Sequence, residues 1–179
     1  MLLYGSYSPR EPWDAEGYTE KKSMTHEIRL ATPEDLSAVE TIVRHAYSLY
    51  VSRIGRKPGP MLDNYASLIH SGRVHVAVHD GTVHGILVLI PEADAMLLDN
   101  VAVAPAAQGS GIGRRLLEFA ENTASEAGFS HIRLYTNEAM TENLSLYQRI
   151  GYAETHRTEE KGLRRIYMVK TLPECPCSP

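Results

Sequence analysis

The chain has 179 residues and a mass of 19.9 kDa, a length typical of one domain. Its 43% of apolar and 22% of charged residues are ordinary globular values, which argue against a largely disordered chain. A formal net charge of −4 argues against a nucleic-acid footprint over the whole surface, and no apolar run reaches the roughly 18 residues of a membrane helix.

The two ends of the chain lack the periodic patterning of its middle. Residues 1–24 are rich in Tyr, Pro, Gly and charge and lack the long apolar centre of a secretion signal, so an N-terminal extension of a cytoplasmic protein is expected. The patterned domain is predicted at 25–172 and a C-terminal tail at 173–179. Cys175 and Cys177 lack the further ligands that a zinc site needs, and a reduced, frayed tail is expected.

The predicted elements alternate along the patterned domain. Turn and capping residues set their limits: Thr32 and Pro33 begin the first helix, Asp80-Gly81 supplies a hairpin turn, and Gly128 ends a later helix. In chain order they are a strand at 27–31, a helix at 33–50, a loop at 51–60, a helix around 62–69, strands at 74–79, 83–90 and 96–103, a helix at 111–127, a strand at 132–136, a helix at 142–150, and strands at 152–157 and 165–171. This βααβββαβαββ order predicts an α/β (α+β) fold with a mixed, mostly antiparallel sheet flanked by helices.

The most informative segment joins the strand at 96–103 to the helix at 111–127. An apolar strand runs into a glycine-rich turn, so free backbone N–H groups and the positive end of a helix converge on one point that suits a phosphate. Arg114 and Arg115 add positive charge there. A plain strand-to-helix turn and a dinucleotide fold are the alternatives, but the Gly-x-Gly-x-Gly spacing departs from the dinucleotide fingerprint.

Two motifs carry a family resemblance. Gln108, Gly111 and Gly113 fit the signature Gln/Arg-x-x-Gly-x-Gly/Ala, and Leu-Tyr-Gln-Arg-Ile-Gly-Tyr at 146–152 fits a second hallmark. Over 28–172 the chain resembles the GNAT superfamily of acetyl-coenzyme-A-dependent N-acetyltransferases. The resemblance implies acetyl-coenzyme A as cosubstrate, no metal, and a pantetheine arm that pairs with the main chain of the strand at 96–103. The cofactor-binding residues it implies are Val101, Ala102, Val103, Gln108, Gly109, Ser110, Gly111, Ile112, Gly113, Arg114, Asn137 and Asn143.

The resemblance also implies an acid for the leaving thiolate. Tyr147 matches that position, and a phenol with a pKa of about 10 is able to protonate a thiolate whose conjugate acid has a pKa of about 8.5. The family commonly has Asn seven residues before this Tyr, whereas the chain has Met140, and Asn137 or Asn143 would take over the polar contact. The amine must also lose a proton, for which Asp99 is the candidate base and water the competing answer.

The acceptor is less well defined by the sequence. Tyr47 and Tyr50 are predicted to bind it, because the first-helix region lines the acceptor pocket in the family. Arg56 belongs to the basic segment that follows, which is either a solvated loop or a clamp for a carboxylate or phosphate of the acceptor. Three histidines of the hairpin are predicted to share one face if Ala77 pairs with His84, but a polar surface explains them better than a metal does; they are His75, His79 and His84.

The predicted function is transfer of an acetyl group from acetyl-coenzyme A to a primary amine, by direct attack in a ternary complex. A small or amino-acid-like amine is the first expectation, and a protein N-terminus or lysine is the rival acceptor. A non-catalytic acyl-coenzyme-A sensor is the alternative from another class, and a dinucleotide-dependent oxidoreductase ranks last. A homodimer is left open, since many family members pair.

Overall fold

The computed structural model describes residues 26–160 and 162–173. The predicted extension at 1–24 and Cys175 and Cys177 of the predicted tail lie outside the described residues. The strands are β1 (Glu27–Leu30), β2 (Val74–His79), β3 (Thr82–Pro91), β4 (Met96–Val103), β5 (His131–Asn137), β6 (Ala153–Glu160) and β7 (Leu163–Thr171). The α-helices are α1 (Leu36–Ile54), α2 (Tyr65–His70), α3 (Ile112–Glu126) and α4 (Thr141–Arg149).

The predicted order of elements is confirmed, and one boundary is wrong by a full turn. Helix α1 continues to Ile54 instead of ending before Val51, so Arg53 belongs to the helix and not to the loop. Gly55, with a φ of 77°, ends the helix in the left-handed conformation that glycine adopts without strain. A one-turn 3₁₀ helix at Pro33–Asp35 precedes α1, and Asp35 accepts the backbone N–H of Thr32 at 2.8 Å, which fixes this start.

The seven described strands form one sheet in the order β1-β2-β3-β4-β5-β7-β6. All neighbouring pairs are antiparallel except β4 and β5, which confirms a mixed, mostly antiparallel sheet. The parallel pair is joined through α3, as a crossover connection requires. The single parallel pair, β4 and β5, therefore lies at the middle of an otherwise antiparallel sheet.

Helices cover the sheet from two sides and create two apolar cores. Helix α3 and Tyr147 of α4 pack on one face against buried residues of β3, β4, β5 and β7. Helices α1 and α2 pack on the other face against β2, β3 and β4. The side chains of Arg133, Tyr135 and Tyr167 lie on the face of β5 and β7 opposite α3 and are only half-buried. The cavity described below lies at the border between the helix-covered and the less covered part of that face.

The hairpin between β2 and β3 has the predicted Asp80-Gly81 turn, but the predicted pairing is wrong. A bulge after Ala77 pairs that residue with Gly85 instead of His84. The bulge breaks the simple alternation, and the histidines do not form one group: the rings of His79 and His84 are 6.2 Å apart, whereas His75 contacts Phe119 at 5.1 Å. Within the described residues, no three His, Cys, Asp or Glu side chains are placed to hold a metal ion, and no helix is long and apolar enough to cross a membrane.

Candidate active site

The first feature of the site is a gap between β4 and β5. The two strands pair only at Met96 with Ile132 and Leu97 with Arg133, and no pairing continues toward their carboxyl ends. On its other edge β4 pairs with β3 along its whole length. The N–H of Ala104 donates to His84 at 2.8 Å, so, by the alternation of an antiparallel ladder, the main chain of Val101 and Val103 faces the gap.

The turn after β4 ends in an open array of backbone N–H groups. Gly109 and Gly111 have φ values of 77° and 88°, and a side chain at either position would be strained although space is available for it. The N–H of Arg115 donates to the carbonyl of Gly111 at 3.1 Å and is the first bond of the α3 ladder. The preceding N–H groups of the helix start have no partner in the helix, which makes this turn an anion-binding geometry.

The polar side chains around the turn have separate roles. Gln108 donates to the carbonyl of Val103 at 3.5 Å and holds the turn against the end of β4. Arg114 is exposed and pairs with Glu118 one turn further along α3, so its charge lies at the surface beside the turn. Arg115 instead donates to the carbonyl of His26 at 2.9 Å and anchors α3 to the start of β1. Of the two arginines predicted to add positive charge at the turn, Arg115 therefore stabilises the fold through its contact with His26, and Arg114 is the one at the surface beside the turn.

A bulge in β4 presents two consecutive polar residues to the same side. The register shifts between Val88 and Leu89, which pair with Asn100 and Leu98, so Asp99 is the additional residue in β4. Leu98 and Val101 both belong to the core below α3. The side chains of Asp99 and Asn100 both reach groups on the opposite face, which an unbulged strand would not allow.

Asn100 is the centre of a buried hydrogen-bond chain. Its Oδ1 accepts from the hydroxyl of Tyr47 at 2.7 Å, and its Nδ2 donates to the hydroxyl of Tyr65 at 2.9 Å. The hydroxyl of Tyr65 donates in turn to the carbonyl of Pro60 at 2.9 Å. This chain joins α1, the bulge, α2 and the loop before α2, and it fixes the wall of the cavity beside Asp99.

Asp99 itself lies between an aromatic hydroxyl and a cation. The hydroxyl of Tyr135 donates to its Oδ1 at 2.9 Å, and the guanidinium of Arg165 lies over the ring of Tyr135, 4.4 Å from its centroid. Burial raises the pKa of the Asp99 carboxyl above its ordinary value, and the bond from Tyr135 and the charge of Arg165 oppose that rise. A carboxylate with a raised pKa is a better base than an ordinary surface aspartate.

Tyr147 lies on α4 and lines the same cavity as Asp99. It is buried, its ring contacts that of Tyr152 in an edge-to-face arrangement at 5.6 Å, and Gly151 ends the helix with a φ of 99°. Burial raises the pKa of the Tyr147 phenol above its ordinary value. The phenol therefore remains protonated at neutral pH, the state that an acid requires.

Met140 occupies the position where the family commonly has Asn. It is the residue before α4, is buried, and its sulfur receives the hydroxyl of Thr136 and the amide of Asn143, each at 3.6 Å. Asn137 uses its side-chain oxygen for a local turn, accepting the N–H of Ala139 at 3.0 Å. Asn143 lies closer to Tyr147 along the same helix and is the buried amide of the pair.

The three predicted acceptor residues lie in three different environments. Tyr47 lines the cavity and is bound to Asn100. Tyr50 is buried beside it, with the two ring centroids 6.3 Å apart and its hydroxyl without a hydrogen-bond partner in the described part of the chain. Arg56 is exposed, and its guanidinium approaches Gly162 in the turn between β6 and β7. Arg56 is not among the described residues that line the cavity.

One cavity brings the separate parts together. Of the predicted residues, it is lined by Tyr47, Asp99, Val101, Asn137, Asn143 and Tyr147. The residues that sequence reasoning missed include Asn100, Tyr135 and Arg165. No local motif marks these three residues. The hydrogen-bond partners of Asn100 and Tyr135 lie 35 or more positions away in the sequence, and Arg165 contacts Tyr135 on another strand.

Comparisons with known proteins agree with this geometry. Residues 70–154 match the family model described as an acetyltransferase (GNAT) domain. The chain is 37% identical over 67 residues to a mycothiol acetyltransferase of Jonesia denitrificans, covering 37% of this chain and 21% of that protein. It is 36% identical over 84 residues to an IAA acetyltransferase of Azospirillum brasilense, covering 46% of this chain and 55% of that protein. The matches thus span about a fifth and about half the length of these two relatives.

The solved structures share the fold. An N-acetyltransferase from Thermoplasma acidophilum, PaiA, in complex with coenzyme A, superimposes with a TM-score of 0.68 at 21% identity, over 83% of this chain and 99% of that one. The fold of the chain is that of these N-acetyltransferases. The match of residues 70–154 to the GNAT domain model and the shared fold agree with the resemblance that the two sequence motifs indicated.

Proposed function

We propose that the protein transfers the acetyl group of acetyl-coenzyme A to a primary amine by direct attack. The observation that carries the proposal is the gap between β4 and β5. It has the N–H groups of the 108–114 turn at one end, and Asp99 and Tyr147 line the cavity at the other. Coenzyme A is bound by the solved relative PaiA, and acetyl transfer is named for both curated relatives.

The described residues fit the donor in two ways. The left-handed glycines Gly109 and Gly111 let the main chain approach an anion, which suits the pyrophosphate. The edge of β4 at Val101 and Val103, which no described strand pairs with, offers main-chain groups to the amides of the pantetheine arm, as an added strand would use them. Both contacts would direct the thioester toward the cavity.

The chemistry needs two proton transfers. Asp99 accepts a proton from the ammonium of the acceptor, and the neutral nitrogen then attacks the thioester carbonyl. A carbon–nitrogen bond forms, the carbon–sulfur bond breaks, and the sulfur takes the proton of the Tyr147 phenol. The second proton of the nitrogen leaves through solvent as Tyr147 is reprotonated, so the products are the amide, free thiol and one released proton.

Direct attack is favoured over an acetylated enzyme. The sequence has no cysteine between residues 26 and 173, since its two cysteines are Cys175 and Cys177. The proposed base and acid, Asp99 and Tyr147, both line one cavity, which supports attack in a ternary complex. Holding both reactants in that gap would supply a large part of the rate acceleration.

The test is a thiol-release assay with acetyl-coenzyme A over a panel of primary amines, with the product mass measured for every amine that reacts. Binding of coenzyme A is measured separately by calorimetry. We expect thiol release with an equal amount of acetylated amine. Tight coenzyme A binding with no thiol release from any acceptor would instead favour the acyl-coenzyme-A sensor, and absence of both would remove the proposal.

A further inference from the structure

Two opposite charges contact the same ring in the acceptor part of the cavity. The carboxylate of Asp99 accepts the hydroxyl of Tyr135 at 2.9 Å, and the guanidinium of Arg165 lies over the face of that ring at 4.4 Å. Both residues line the cavity. One tyrosine therefore holds an anion at its hydroxyl and a cation over its ring, and both charges line the same cavity.

We propose that the acceptor is an amino acid, whose ammonium faces Asp99 and whose carboxylate is bound by Arg165. The inference rests on the proposed function, because it takes Asp99 as the group nearest the reacting nitrogen. It adds what that function leaves open, namely the chemical class of the molecule that receives the acetyl group.

Arg165 has the capacity for a second carboxylate. Its Nη1 donates to Glu160 at 2.8 Å, and Glu160 also accepts the hydroxyl of Tyr167 at 2.7 Å, which fixes the guanidinium on the strand. A guanidinium has five N–H donors in a planar fork, so a bond to Glu160 through one nitrogen leaves an edge for bidentate recognition of another carboxylate. The side chain is only 24% exposed, which strengthens such a contact.

The three cations of the basic segment, Arg53, Arg56 and Lys57, are not among the described residues that line the cavity. Arg53 pairs with Glu142 at 2.8 Å, and Arg56 lies at the surface near Gly162. Among the described residues that line the cavity, the ionised side chains are Asp99 and Arg165. The loop clamp that the basic segment at 53–57 suggests is therefore replaced by a cation on β7.

The rest of the wall suits an apolar side chain. The remaining lining includes Ile54, Pro60, Met140 and Leu163. A lysine side chain or the N-terminus of a peptide has no free carboxylate beside its amine and would leave Arg165 without a ligand. A diamine would bring a second cation to Arg165, which disfavours it. The charge of Asp63 interacts with that of Asp99, and this additional negative charge would favour a diamine. The diamine is therefore the competitor that the test must include.

The experiment compares matched acceptors in the thiol-release assay. Leucine is paired with 3-methylbutylamine, phenylalanine with 2-phenylethylamine, and each amino acid with its amide; putrescine and a short peptide complete the panel. We expect kcat/KM to be about 10- to 100-fold higher for an amino acid than for its decarboxylated partner, since a charge-assisted contact is lost with the carboxylate. The amide is expected to behave as the decarboxylated amine does.

Arg165→Gln and Arg165→Lys test the assigned residue. Arg165→Gln is expected to lower kcat/KM for the amino acid by about 10-fold or more and to change that for the amine much less, so the preference disappears. Arg165→Lys keeps the charge without the fork and is expected to retain part of the preference, which also serves if the Gln variant folds poorly. Arg164→Gln is the matched control, because Arg164 is the adjacent residue of β7 and pairs with Glu138 at the surface.

The outcomes separate this inference from the proposed function. Thiol release that is equal for both members of each pair, or that is highest for putrescine or the peptide, overturns the amino-acid assignment and leaves the acetyltransferase activity established. A preference for amino acids that survives in Arg165→Gln also overturns the assignment of Arg165. Silence of the whole panel despite bound coenzyme A overturns both.

Discussion

The turn at 108–114, which is proposed to bind the donor, and the side chains around Asp99 and Asn100, which form the proposed acceptor wall, use different chemical groups. The turn uses backbone N–H groups that neighbouring residues supply, and its critical residues lack or hardly use a side chain. The wall uses side chains from α1, β4, β5 and β7, which are held by long-range contacts such as Tyr47 to Asn100 and Tyr135 to Asp99. A site made of main-chain groups tolerates many different side chains around it, whereas the ligand preference of a site made of side chains changes when one residue is replaced. The contrast predicts that substitutions will separate donor binding from acceptor chemistry.

The largest effect is expected from Tyr147→Phe, which removes the proposed acid without changing the shape of α4. We expect kcat to fall by about 100-fold, because general-acid catalysis is lost, while the dissociation constant of coenzyme A stays nearly the same. Thiol release followed over time measures kcat, and calorimetry measures the dissociation constant of coenzyme A. Tyr152→Phe is the matched control: its ring packs on Tyr147, and its buried hydroxyl has no hydrogen-bond partner in the described part of the chain. Equal turnover of the two variants would exclude Tyr147 as the acid.

A smaller effect, on coenzyme A affinity instead of turnover, is expected from Gly111→Ala. The added Cβ has open space, but the φ of 88° strains any side chain by about 1–2 kcal/mol, and relief of the strain would turn the N–H groups away from the anion. We expect coenzyme A affinity to fall by about 10-fold. Gly128→Ala imposes the same strain at a φ of 84° beyond the other end of α3 and should lower the melting temperature without weakening coenzyme A binding. Similar affinity losses in both variants would show that the turn is not the anion site.

The acceptor wall is tested by Asn100→Leu, which keeps the number and branching of the side-chain heavy atoms and removes both side-chain hydrogen bonds. The hydroxyls of Tyr47 and Tyr65 would lose their bonds to a buried amide, at a cost of about 1–3 kcal/mol in the free energy of unfolding. For a chain of this length, each kcal/mol corresponds to about 2–4 °C in the melting temperature. We also expect a higher KM for the acceptor and an unchanged dissociation constant of coenzyme A. A loss of coenzyme A affinity that equals the loss for the acceptor would contradict the separation of the two regions.

The same contrast explains what the sequence alone could predict. The order of elements followed from periodicity and from Pro, Gly and Asp-Gly signals, and the turn proposed to bind the donor followed from a local motif at 108–113. The two strand bulges did not, because they depend on how β3 fits its neighbours, and the bulge at Asp99 is what brings that residue and Asn100 to one side. The sequence does not identify Arg165, because no local motif distinguishes it from other cations on strands. Its position in the cavity depends on its contact with Tyr135, which lies on another strand.

The smallest expected effect concerns the pH dependence and tests Tyr135 as a positioning residue for Asp99. The raised pKa of Asp99 means that its basic form is lost as the pH falls through that pKa, so kcat/KM should rise with pH on the acidic side. The bond from Tyr135 opposes the rise in the pKa of Asp99, and Tyr135→Phe should therefore move the acidic limb of the profile to higher pH.

Asp99→Asn separates this limb from the titration of the amine itself. That variant should lose the limb of Asp99 and keep the one set by the pKa of the acceptor, which follows the choice of amine. A purely structural role of Tyr135 would lower kcat/KM at every pH without moving the limb. If Tyr135→Phe leaves the midpoint unchanged, or if Asp99→Asn retains the full profile, the base is water and the tyrosine–aspartate pair serves only to shape the wall.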